Sequence, residues 1–179
     1  MMNVTYGVTE EIYSLGISSR TSYGIAAYAD SEENRQLQEA LEKKLEALRP
    51  SNGEVLEKTL TWGYGELSVT AGTHDICYKL VSKTDPEMLV LVYVRAGESK
   101  SVKVKNGEYL IYYTSGEHWF GDDVGFGSDA SYLKYTGTLN YSTHTEGSYI
   151  YYTVYELELY TDTTGNFATA SCTANEFWD

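Results

Sequence analysis

The sequence predicts a mainly β protein: a two-sheet antiparallel β-sandwich with one N-terminal amphipathic helix. Three observations carry this expectation. From Glu54 onward Tyr, Val, Thr and Gly rise while helix formers thin out, and no proline follows Pro86. Short alternating runs recur at close, regular spacing between turn residues, the pattern of an all-β domain. One stretch alone, 31–49, carries a sustained helical period. The 179 residues suit one domain with a small appendage. We expect an N-terminal segment over 1–53 and a β domain over 54–179.

Residues 1–30 hold two short runs, Glu11–Ile17 and Ser22–Ala29, which suit strand or irregular structure. The second also tolerates a helix. The helix follows. Asp30 with Glu33 makes a D-x-x-E form of the capping box. Leu37, Ala40, Leu41, Lys44, Leu45 and Leu48 share one face. Pro50 and Ser51-Asn52-Gly53 end it. Its leucine stripe suits packing on the protein's own sheet, or a self-associating surface.

Expected strands are Val55–Trp62, Glu66–Thr70, Asp75–Ser82, Met88–Arg95, Lys100–Lys105, Glu108–Ser115, Tyr132–Thr136, Thr138–Thr143, Tyr149–Tyr160 and Asn166–Thr173. Ile76, Tyr78 and Leu80 alternate with Cys77 and Lys79. Tyr155, Leu157 and Leu159 alternate with Glu156 and Glu158, as in a strand with one wet face. Met88–Val94 is continuously apolar and reads as a strand buried on both faces. Asn106-Gly107 is the strongest hairpin signal, since a type I′ turn needs φ > 0 at both central positions. It should join Lys100–Lys105 to Glu108–Ser115. Asp162-Thr163-Thr164-Gly165 reads as a further turn.

The formal charge is −13, and residues 106–179 hold eleven acids against Lys134 alone. Nucleic acid is a poor partner for such a chain, because its phosphates need clustered Lys and Arg. An anionic membrane surface is disfavoured likewise. No apolar run is long enough to span a bilayer. The first residues have no basic and apolar leader pattern, so no signal segment is expected within this chain. Cys77 and Cys172 share no metal-ligand spacing. They suit buried thiols, or a bridge tying the core to the last strand.

The stretch Val102–Gly127 combines a valine strand, Gly107-Glu108-Tyr109, Gly116, Trp119-Phe120-Gly121 and Phe126-Gly127. Tyr132-x-Lys134, Gly165-Asn166 and Phe177 follow. Together these residues resemble a family of uncharacterised bacterial β-domains, typically secreted proteins or lipoproteins. Upstream, Glu66–Val69, Tyr78–Leu80 and Tyr93–Gly97 resemble its earlier strands. The likeness spans about residues 60–177. The chain departs from the pattern where Lys105 replaces a proline and Phe120 a tyrosine. The resemblance implies an extracytoplasmic location, secreted or envelope-anchored, and a β architecture. It brings no catalytic residues.

Candidate site residues sit in and beside the loop Gly116–Gly127. His118, Trp119, Phe120 and Phe126, with Tyr113 on the preceding strand, form a possible ligand surface or an aromatic lid. Loops on rigid strands often carry binding groups. Asp122, Asp123 and Asp129 lie close together and are the one group that would suit calcium, although their spacing is not an EF-hand. No other cofactor is expected. His74, His118 and His144 lie on separate segments, and no nucleophile-elbow motif occurs. Gly63-Tyr64-Gly65-Glu66 leads into a strand, the wrong context for a phosphate loop. Tyrosine is over-represented, with 18 residues, eleven of them between 106 and 160. The expected function is therefore a non-enzymatic structural or interaction module meeting a protein or glycan of the cell envelope. The alternatives are a carbohydrate-binding module using Trp119 and nearby tyrosines, or a hydrolase with an unfamiliar site.

Overall fold

The structure is a computed structural model and describes residues 32–160 and 168–178. The expected strands at Glu11–Ile17 and Ser22–Ala29, the Asp30 cap and the turn at 162–165 lie outside the described residues. The described residues are mainly β, with two α-helices. They fall into two compact units. One holds the described residues up to Arg49 together with His118–Ser128; the other holds Pro50–Glu117 and the described residues from Asp129 on.

Helix α1 runs Glu32–Leu48. Leu37, Leu41 and Leu45 are half-buried, whereas Leu48 is exposed. Arg35 pairs with Glu39 and Arg49 with Glu46 along its surface. Such exposed pairs contribute only a few tenths of a kcal/mol each.

The larger unit contains twelve strands: β1 Val55–Lys58, β2 Gly65–Ala71, β3 Asp75–Ser82, β4 Leu89–Val94, β5 Ser99–Val104, β6 Gly107–Gly116, β7 Ser131–Tyr135, β8 Leu139–Tyr141, β9 Thr143–Glu146, β10 Tyr149–Tyr152, β11 Val154–Leu159 and β12 Thr169–Ser171. Seven form one sheet in the order β1-β4-β3-β6-β7-β12, with β8 also paired to β6. A three-stranded sheet runs β11-β2-β5, and β9 and β10 form a separate hairpin. Among the described strands every pair is antiparallel except β11 with β2, which is parallel. The fully antiparallel expectation is corrected at that pair.

Alternation explains the core. Leu67, Val69 and Ala71 of β2 join Val104 and Leu159 in one apolar cluster. Ile76, Tyr78 and Leu80 of β3, Val90, Val92 and Val94 of β4, and Tyr109, Ile111 and Tyr113 of β6 belong to the same cluster. Each such side chain contributes about 1.5–3 kcal/mol on burial. β4 is buried on both faces, as its unbroken apolar run implies. The opposite face of β3 is also covered: Cys77 and Lys79 are buried.

Part of that cover is α2, Ala174–Trp178, which the sequence reading assigned no element. Thr173 and Glu176 form a reciprocal capping box. The Glu176 N–H donates to Thr173 Oγ1 at 3.1 Å, and the Thr173 N–H donates to Glu176 Oε2 at 2.8 Å. The buried Lys79 ammonium donates to the Phe177 carbonyl at 2.9 Å, where the helix dipole favours a cation. Lys134 and Glu176 add an ion pair at 2.8 Å.

The Asn106-Gly107 hairpin does not form. β5 pairs with β2 and β6 pairs with β3 and β8, so the chain changes sheets there. Gly107 sits at φ +154°, outside the type I′ range. The expected strand Tyr149–Tyr160 is broken at Thr153. Its N–H donates to Ser142 and its carbonyl accepts from Glu66, so the chain leaves the β9–β10 hairpin and joins β2 at this residue. The expected Val55–Trp62 strand stops at Lys58, beyond a register shift between Val55 and Glu57.

Candidate functional site

The loop after β6 folds upon itself. The Phe120 N–H donates to the Gly125 carbonyl and the Gly125 N–H to the Gly121 carbonyl, both at 2.8 Å. Gly121 and Gly125 hold φ of +100° and +64°, which side chains with a Cβ resist. Trp119 and Phe126 meet edge to face, with ring centroids 5.0 Å apart.

The expected site residues differ in exposure. Trp119 is 2% exposed, and Tyr113 and Phe126 are buried too. These three rings therefore present little surface to solvent. Phe120 is half-buried and His118 exposed. Asp122 and Asp123 are exposed in the turn. Asp129 closes a short 3-10 turn, Gly127–Asp129. No three His, Cys, Asp or Glu side chains converge among the described residues. His74 contacts Thr73, and His144 stacks flat on Tyr151 with centroids 4.9 Å apart.

The two cysteines do not meet. Cys77 pairs across β6 with Thr114, Thr114 with Tyr132 of β7, and the Cys172 N–H bonds the Tyr132 carbonyl. The strand order β3-β6-β7-β12 puts three inter-strand steps between them, about 14 Å at about 4.8 Å per step. A disulfide needs Cα atoms within about 7 Å. Neither cysteine is in a disulfide, and burial is the main cause that raises the Cys172 thiol pKa.

Exposed aromatic surface lies elsewhere, on the outward face of the β11-β2-β5 sheet and on the adjoining hairpin. β2 alternates buried Gly65, Leu67, Val69 and Ala71 with half-exposed Glu66, Ser68 and Thr70. Just before β2, exposed rings alternate with less exposed glycines. Gly63 turns towards the end of β5, where an added Cβ would lie 2.4 Å from the Val104 carbonyl oxygen and from the Lys105 Cα. Only glycine fits. Its neighbours Trp62 and Tyr64 consequently turn outward, 66% and 47% exposed, with ring centroids 5.5 Å apart and planes at 58°.

Tyr152 joins the same end of the sheet. The Lys103 ammonium lies 5.6 Å from its ring centroid and 2.6 Å from Glu66 Oε2. That hydrogen bond is the main cause that lowers the Glu66 pKa and raises that of Lys103. Along the face, Ser68 pairs with Ser101 and Glu156, and Thr70 pairs with Ser99 and Glu158. Thr70 Oγ1 and Ser99 Oγ are 2.7 Å apart. Beyond Tyr152, the hairpin exposes Tyr149, Ile150 and Tyr151.

Sequence reasoning missed Trp62 because it stood at the end of an expected strand. The signal was the W-G-Y-G run, in which glycines alternate with large rings.

No family model, no curated protein and no solved structure matches the chain. Among the described residues, no helix is long and apolar enough to cross a membrane.

Proposed function

We propose that this chain is a non-enzymatic extracytoplasmic module, built as a two-sheet β-sandwich, that works by surface contact on the cell envelope. The carrying observation is the pair of solvent-facing rings Trp62 and Tyr64, with centroids 5.5 Å apart. Scattered exposed rings are ordinary, but exposed rings grouped in contact mark an interaction site. Trp and Tyr are the residues on which contact energy concentrates. The likeness of Gly107–Gly127 to secreted bacterial β-domains supports the compartment.

Two measurements test this reading. The protein produced from its own gene should fractionate outside the cytoplasm, and purified protein should adsorb to isolated envelopes. Recovery in the cytosol would count decisively against the location. Turnover in a broad hydrolase screen would sink the non-enzymatic reading.

A carbohydrate-binding role is the second reading. It is favoured by one specific observation, the open pair Trp62 and Tyr64.

A further inference from the structure

Resting on the surface-contact reading, we infer that the outward face of the β11-β2-β5 sheet binds a neutral polysaccharide, with Trp62 and Tyr64 as its stacking platform.

Three features of the face select this ligand. The first is ring access. The C–H bonds of a pyranose face carry slight positive charge and suit the negative face of an aromatic ring. Trp62 and Tyr64 are among the most open rings of this unit, and Gly63 fixes the backbone between them. Little conformational freedom is therefore lost when a sugar settles on them.

The second is the lane that leads away from the rings. Ser101 and Ser68, then Ser99 and Thr70, lie across β5 and β2 in register, flanked by Glu66, Glu156 and Glu158. Hydroxyls and carboxylates serve sugar hydroxyls, which both donate and accept. A protein partner would favour an apolar centre instead.

The third is charge. In the strand pairing Lys103 lies opposite Glu66, which already engages it, and Glu156 and Glu158 lie further along on β11. The face therefore holds no surplus of cations for an anionic polymer, on a chain of net charge −13.

Affinity gel electrophoresis tests this with the whole chain run through hydroxyethylcellulose, soluble starch, dextran, galactomannan and, as the anionic control, polygalacturonate. At least one neutral polymer should retard the protein. Trp62→Ala should weaken that retardation at least about tenfold, Trp62→Phe should restore part of it, and Tyr64→Ala should weaken it less. Both rings are solvent-facing, so the variants should melt at the wild-type temperature, which separates lost binding from lost fold.

Stronger retardation by polygalacturonate overturns the inference. So does retardation unchanged by the double alanine variant, which would place the sugar elsewhere. If no neutral polymer retards the chain while it still adsorbs to isolated envelopes, the sugar proposal fails and the surface-contact reading stands. If neither occurs, both fail.

Discussion

Removing the hydroxyl of Tyr78 should stabilise this protein. Tyr78 is fully buried in the main core, and its hydroxyl meets no hydrogen-bond partner among the described residues. Burial pushes its pKa well up, which reports the same lack of solvation. A hydroxyl buried without a bond costs about 1–3 kcal/mol in proteins. Tyr78→Phe removes that cost and leaves a void of one oxygen, which offsets part of the gain. The net expectation is about 1 kcal/mol of added stability, or about 2–4 °C in Tm for a chain of this length. Urea unfolding followed by circular dichroism reads it as a raised midpoint at unchanged slope. Tyr141→Phe should act in the same direction, since its hydroxyl is buried and likewise unpartnered among the described residues. The pair supplies the stringent control. If each hydroxyl stands alone, the double variant should be additive within about 0.5 kcal/mol. A lowered midpoint for either single variant, or strong coupling between them, would mean that the hydroxyls share a bond or a buried water. The reasoning would then be refuted.

Other expectations follow from the same structure. Gly63→Ala should destabilise by about 1–3 kcal/mol or more, the cost of overpacking, because its Cβ would meet backbone atoms; thermal melting checks this, and wild-type stability would contradict the close approach. Lys79→Met should cost about 1–3 kcal/mol by leaving the Phe177 carbonyl unpaired, read as a lowered urea midpoint. Acid should loosen α2. Lys134 first, then the Thr173 N–H, lower the Glu176 pKa. Its stabilising effect is thus present above the ordinary glutamate pKa and is lost as pH falls through the lowered folded value. Trp178 fluorescence should change in that acid window and should do so less in Glu176→Gln. Finally, air oxidation should not cross-link Cys77 to Cys172, and a non-reducing gel should show one unshifted band.

How far the sequence reaches is clearest where it stops. β3 keeps the bounds Asp75–Ser82, since alternation needs only the local pattern. The Asn106-Gly107 signal is also local, and it misleads. Val104 and Tyr109 both enter the core, but from different sheets, so tertiary pairing overrides the turn. The α2 capping box was written in Thr173-Ala174-Asn175-Glu176, masked by the Thr-rich strand before it. For the candidate site, the sequence flagged aromatic residues but could not rank their exposure. Trp119 and Trp62 each sit beside glycines. In one case the chain folds back over the ring, and in the other a glycine presses against β5 and turns the rings out. Both outcomes depend on partners distant in sequence.

The parallel pairing of β2 with β11 has a consequence for synthesis. Glu66–Ala71 is made early, yet its partner on one side is Val154–Leu159. Until Val154–Leu159 has left the ribosome, β2 has an open edge that β5 cannot cover, and such an edge recruits foreign strands. A chain exported while still unfolded would meet this hazard only once, after its last strands arrive. Truncations that end before residue 154 should therefore aggregate rather than fold as a smaller domain.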